Sequence, residues 1–105
     1  MSKPAYLVVD ARVHDAERIT RYRELAEIAV ARFGGRYLVR GGATETLEGE
    51  WAPQRLVIVA FPSMDAARRF YDSPEYRAAR EARAGIADFD MLLGEGLEEA
   101  PATSV

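Results

Sequence analysis

Residues 55–63 read RLVIVAFPS. From Leu56 to Phe61 every residue is apolar, a run long enough for a strand covered on both faces and far too short to cross a membrane. Such a strand belongs in the middle of a sheet. Pro62 cannot donate to a ladder and ends it. Ser63 is a good N-cap, and Asp65 falls in the first turn of a helix predicted over Met64 to Asp72. Ser73-Pro74-Glu75 then repeats the signature of a helix start, serine at the cap and proline at the first position, leading into Tyr76 to Ala84 and a stop at Gly85. The helix therefore breaks at Ser73-Pro74, and Tyr76, Arg80 and Arg83 leave it in a different direction from Phe70. Ala87 to Leu93 reads as a last strand with Phe89 and Met91 on one face.

Upstream, Tyr6 to Arg12 is a first strand, with Leu7, Val8 and Val9 in succession. Asp15 to Phe33 carries Ile19, Tyr22, Ala26, Ala29 and Phe33 at the spacing of one helical stripe, widened by Leu25 and Val30, with Glu17, Thr20, Glu24 and Glu27 opposite. Gly34-Gly35 ends it, since glycine takes the left-handed geometry common at helix ends. Arg36 to Arg40 is the second strand. Residues 41–54 form a long connection with three glycines and Pro53, in which Glu45 to Glu48 is expected to extend the hairpin before the chain turns back. The order β-α-β-β-α-β predicts an α+β, ferredoxin-like fold: a four-stranded antiparallel sheet with two helices on one face. The domain is expected to span residues 1–96, with an acidic, then small-residue C-terminal tail over 97–105.

Two helices cover one face of such a sheet. Val8, Val57, Val59 and Phe89 offer apolar surface to both sides, and an exposed apolar face of this size marks an interface. The expected partner is a second copy of the chain, sheet to sheet.

Composition excludes several classes. The chain has no cysteine, which removes disulfides, thiolate metal sites and cysteine nucleophiles together. A net charge of -3 with no basic cluster gives no grip on nucleic acid. The apolar run from Ala5 to Val9 is too short for a signal peptide or membrane anchor, so a cytoplasmic protein is expected. One histidine among scattered carboxylates is not a metal-ligand set, and no metal or cofactor is expected. Gly41-Gly42 lacks the third glycine and following helix of a dinucleotide fingerprint, and reads as a bulge or turn. Ser63 serves as a cap; no nucleophile elbow surrounds it.

The remaining candidates point to an anionic ligand. Arg40 can hold a carboxylate or enolate bidentately, and strand alternation puts it on the face of Leu38 and Arg36; its other expected partner is Glu48 across the hairpin. Arg80 and Arg83, three apart, share a helix face with Tyr76, and either bind a ligand or bridge to acids such as Glu75 and Asp88. Tyr22 sits on the apolar stripe, where a buried hydroxyl needs a partner in a ligand or in the protein. Trp51 either lids a pocket or packs across a dimer seam. Histidine as a residue type titrates near neutrality, so His14, between Asp10 and Asp15, or Asp10 is the candidate general base; the plainer role for His14 is at the helix entry.

Gly34-Gly35-Arg36, Val39-Arg40-Gly41-Gly42, Leu47-Glu48-Gly49, Phe61-Pro62-Ser63 and Ser73-Pro74-Glu75-Tyr76, with Arg80 and Arg83 after them, resemble the family called domain of unknown function 1330, over about residues 5 to 94. Phe33 departs from it, standing where tyrosine is common. The resemblance implies a dimeric α/β barrel, in which two sheets face each other, and relatives that include cofactor-independent monooxygenases, muconolactone isomerases and haem-using enzymes. It raises Arg83 above an ordinary surface arginine, whereas haem ligation by His14 would require that residue to face a cavity. Fold does not give function. The expected function is a small-molecule-binding homodimer, as a cofactor-independent isomerase or monooxygenase-like enzyme acting on a small organic acid; the alternative is a non-catalytic ligand-binding or interaction module.

Overall fold

In the computed structural model, which describes residues 3–98, the chain forms β1 (Ala5–Val13), α1 (Ile19–Arg32), β2 (Arg36–Arg40), β3 (Leu56–Phe61), α2 (Met64–Asp72), α3 (Pro74–Arg83) and β4 (Ala87–Glu95). The strands make one antiparallel sheet in the order β2-β3-β1-β4, so the all-apolar β3 is central, as its composition requires. This is the ferredoxin-like α+β fold. Much of the expected C-terminal tail, including Pro101, lies outside the described residues.

Register decides which strand residues meet the helices. Leu7 pairs with Val59 and Leu93, and Val9 with Val57 and Met91, while Ala11 faces Phe89. These side chains, with Phe61, pack against Ile19, Tyr22, Ala26, Phe70 and Tyr76 in a single core. Val57, Val59 and Phe89 therefore belong to the helix-covered face, and Val59 is fully buried. The expectation that all four supply apolar surface to both sides is corrected; of them only Val8 lies on the open face. The open face is nonetheless apolar, because the intervening residues Tyr6, Val8, Leu56, Ile58 and Leu92 take those positions.

The helix ends follow local chemistry. α1 begins at Ile19, not at Asp15, because the Asp15 carboxylate accepts from the amides of Glu17 (3.2 Å) and Arg18 (3.0 Å) and holds residues 15–18 in a turn. Gly34 ends α1 at φ 77°. The break at Ser73-Pro74 is present, with one buried serine serving both helices. Its hydroxyl donates to the Phe70 carbonyl at 2.7 Å, closing α2, and accepts from the Tyr76 amide at 3.1 Å, opening α3. Residues 45–48 do not extend the hairpin. The β2–β3 connection is closed instead by the Gly41 amide bonded to the Leu56 carbonyl at 2.8 Å.

Candidate functional site: a tyrosine-lined cleft with an arginine rim

Between α1 and the covered face of the sheet lies a cleft of about 60 Å³. Val9, Ala11 and Val57 form its apolar wall, Tyr22, Tyr37 and Tyr76 bring hydroxyls, and Arg23, Arg40 and Arg55 stand around it. The α1 stripe delivers Tyr22, and the turn at Ser73 swings Tyr76 across to meet it. Their hydroxyl oxygens are 2.8 Å apart. Burial pushes the ionisation of both phenols up, Tyr22 the more strongly, with the neighbouring Tyr76 oxygen adding to its shift. Burial also raises Tyr37, against the opposing pull of Arg40. All three hold their protons at neutral pH and act as hydrogen-bonding groups, not bases. The hydrogen bond from Tyr22 and then the Arg83 charge act against that rise at Tyr76.

Arg40 reaches this cleft because of an irregularity in β2. Tyr37 pairs with Val59, but Val39 pairs with Ile58 and Arg40 with Val57, so a bulge between Tyr37 and Val39 resets the alternation. Arg40 consequently shares the face of Tyr37, not that of Leu38 and Arg36 as simple alternation predicts. Its guanidinium lies 4.2 Å from the centre of the Tyr37 ring and donates to Glu27 on α1 at 3.3 Å. Glu27 takes the place expected of Glu48, which is exposed in the β2–β3 connection.

Arg55 immediately precedes β3 and, by the parity of Val57 and Val59, falls on the same face, where it lines the cleft. Its guanidinium rests against Gly41, where φ is 73° and where an added Cβ would collide with it. Burial, and then the charges of Arg23 and Arg40, lower its pKa from the ordinary arginine value.

The other candidates are dispersed. The Arg83 guanidinium lies over Phe89 at 4.3 Å and 5.7 Å from the Tyr22 ring, flanking the tyrosine pair. Arg80 lies over Tyr71 at 4.3 Å. The Nε atoms of both are buried without a hydrogen-bond partner. The acids expected to bridge them are engaged elsewhere, Glu75 with Arg32 and Asp88 with His14, each at 2.8 Å. His14 is thus exposed and partnered by Asp88, not by Asp10 or Asp15, away from the cleft. Asp10 lies on the opposite, open face of the sheet, where its carboxylate meets the Trp51 indole at 3.3 Å and Arg12 at 3.4 Å. Trp51 therefore packs toward the open face instead of lidding the cleft. Arg23, Glu27, Tyr37 and Arg55 were not among the sequence candidates. Two of them carried a signal: Arg23 adjoins Tyr22 on α1, and Arg55 shares the parity of Val57.

Family membership rests on residues 4–97, which match the model described as Domain of unknown function (DUF1330). The chain belongs to the DUF1330 family. Among solved structures, this DUF1330 protein is similar to a protein of unknown function from Rhodopseudomonas palustris, with 20% identity, 94% of this chain and 86% of that one covered, and a TM-score of 0.74. It is similar also to a cofactor-independent oxygenase, SnoaB, from Streptomyces nogalater, at 17% identity, 95% and 99% coverage and a TM-score of 0.63. A dimeric ferredoxin-like protein of unknown function from Thermobifida fusca aligns at 15% identity, 90% and 92% coverage and a TM-score of 0.54. At these identities the likeness establishes the fold. No curated protein matches the chain.

Proposed function

We propose that this DUF1330 protein is a homodimer that binds a small organic acid in the cleft, its apolar part against Val9, Ala11 and Val57 and its carboxylate at the arginine rim. The observation that carries this reading is the convergence of Arg23 from α1, Arg40 from β2 and Arg55 from the end of the β2–β3 connection on one tyrosine-lined space. A guanidinium keeps its charge at any ordinary pH, and its planar fork matches a carboxylate. The apolar open face supports the dimer, as do similar structures described as dimeric. Trp51, 59% exposed, and Leu92, 70% exposed, would be covered in it. The cysteine-free composition suits a cytoplasmic setting.

A second reading is enzymatic: a cofactor-independent reaction in which the arginines and the Tyr22–Tyr76 pair stabilise an oxyanion on the bound acid. The cofactor-independent oxygenase among the similar structures favours it. The residues lining the cleft include no carboxylate or histidine to serve as base, so binding is the leading reading. A role for Asp10 or His14 in acid–base chemistry would have to be played outside the cleft, Asp10 at the dimer seam.

A thermal-shift screen of short carboxylic acids tests the proposal, since a ligand of the native state raises the melting temperature by mass action. Stabilisation by an acid that is lost in Arg40→Ala supports it. The same stabilisation in Arg40→Ala and Arg55→Ala defeats the site, and the absence of any stabilising acid defeats the reading.

A further inference from the structure

We propose that the ligand of this cleft is doubly charged, a short dicarboxylate and not a simple monoacid; the inference rests on the acid-binding reading above. Three guanidinium groups border the cleft, and none of the residues lining it is acidic. Glu27 reaches the rim from α1 and pairs with Arg40 alone. Among the described residues Arg23 and Arg55 form no ion pair, which leaves two cationic groups beside the same small space without a protein counter-charge. Like charges held together raise the energy of the unliganded site, and each anionic group that enters relieves part of it.

Arg55 lies in the space that Gly41, lacking a side chain, leaves open, on the same rim as Arg40. One carboxylate saturates one guanidinium fork; a second is needed for the other uncompensated charge. Inside the rim the walls are Val9, Ala11 and Val57, with protonated tyrosines as the polar groups. That lining suits methylenes between two carboxylates, both turned outward to the rim. Inorganic phosphate carries comparable charge but has nothing to place against the apolar wall, so the combination of wall and rim selects the diacid.

The test compares succinate with butyrate, which has the same number of carbons and one carboxylate fewer, and with inorganic phosphate, by following the amides of Tyr37 and Gly41 in NMR titrations of the full chain. Succinate is expected to bind at least about tenfold tighter than butyrate, about the effect of one added charge-assisted bond. Arg55→Gln is expected to abolish that preference while butyrate still binds. Should Arg55→Gln not fold, Arg23→Gln, on the surface of α1, makes the same comparison. Equal affinities for succinate and butyrate in the native protein overturn the dicarboxylate inference and leave the acid site standing. Phosphate binding as tightly as succinate overturns it too, in favour of a bare anion site. If none of the three perturbs the amides, the acid-binding reading falls, and this inference with it.

Discussion

The Arg55 guanidinium occupies the space into which a side chain at Gly41 would grow. The glycine is required by its φ of 73°, and a side chain there would also push the guanidinium aside. Gly41→Ala is expected to cost about 1–2 kcal/mol from the left-handed conformation, with the guanidinium, at the end of a flexible side chain, pushed aside at little further cost. Chemical denaturation measures the loss. Acid binding should weaken in the same variant even where it is fully folded, because Arg55 loses its seat; an unchanged affinity would separate Gly41 from the site.

The Tyr22–Tyr76 pair calls for a double-mutant cycle. Replacing either residue by phenylalanine leaves the other hydroxyl buried without its partner, at about 1–3 kcal/mol. The double replacement removes both polar groups and should cost less than the sum of the singles. Additive losses in denaturation experiments would mean that the two hydroxyls are not coupled.

Stability should also fall in alkali. The phenols of Tyr22, Tyr37 and Tyr76 lie above their ordinary value of 10.0 in the folded chain, so above about that pH the unfolded state releases protons that the folded state keeps. Their contribution is fully present below pH 10 and is lost as pH rises toward the folded values, at up to about 1.4 kcal/mol per pH unit for each of Tyr22 and Tyr76 and less for the more exposed Tyr37, whose charge solvent screens. Denaturant midpoints between pH 9 and 11.5 measure the slope. Tyr22→Phe should make it shallower, and an unchanged slope would show that Tyr22 ionises as freely as in the unfolded chain.

Ile58 lies on the open face of central β3, opposite Val8 on β1. An aspartate there would place an unpaired charge inside a sheet-to-sheet interface, a cost of several kcal/mol after relaxation. Ile58→Asp is expected to sediment as a folded monomer where the native chain sediments as a dimer. A native monomer at micromolar concentration would refute the interface directly.

Physics confined to neighbouring residues could be read directly from the chain. Pro74 cannot continue a helix but can begin one, and Ser73 can cap it, so the break and the new heading of α3 needed no knowledge of the rest of the molecule. The same holds for Ser63, whose hydroxyl accepts from the Ala66 amide at 3.1 Å, and for the apolar stripe that buries Ile19, Tyr22, Ala26 and Ala29. The order of these elements, with the sheet they imply, was legible for the same reason.

Facing was not. Every residue from Leu56 to Phe61 is apolar, so hydrophobicity cannot choose which alternate set meets the helices; pairing with β1 and β2 chose Val57, Val59 and Phe61. In β2 a bulge between Tyr37 and Val39 turned Arg40 toward Glu27 and the cleft, against the alternation written in the residues before it. Glu27, Tyr37 and Arg55 meet Arg40 there from a helix, its own strand and the far side of a long connection. A one-residue shift in register reverses the face of every side chain beyond it, and register is settled by long-range pairing. The fold could therefore be anticipated from local preferences, whereas the cleft and its arginine rim exist only once the sheet is assembled.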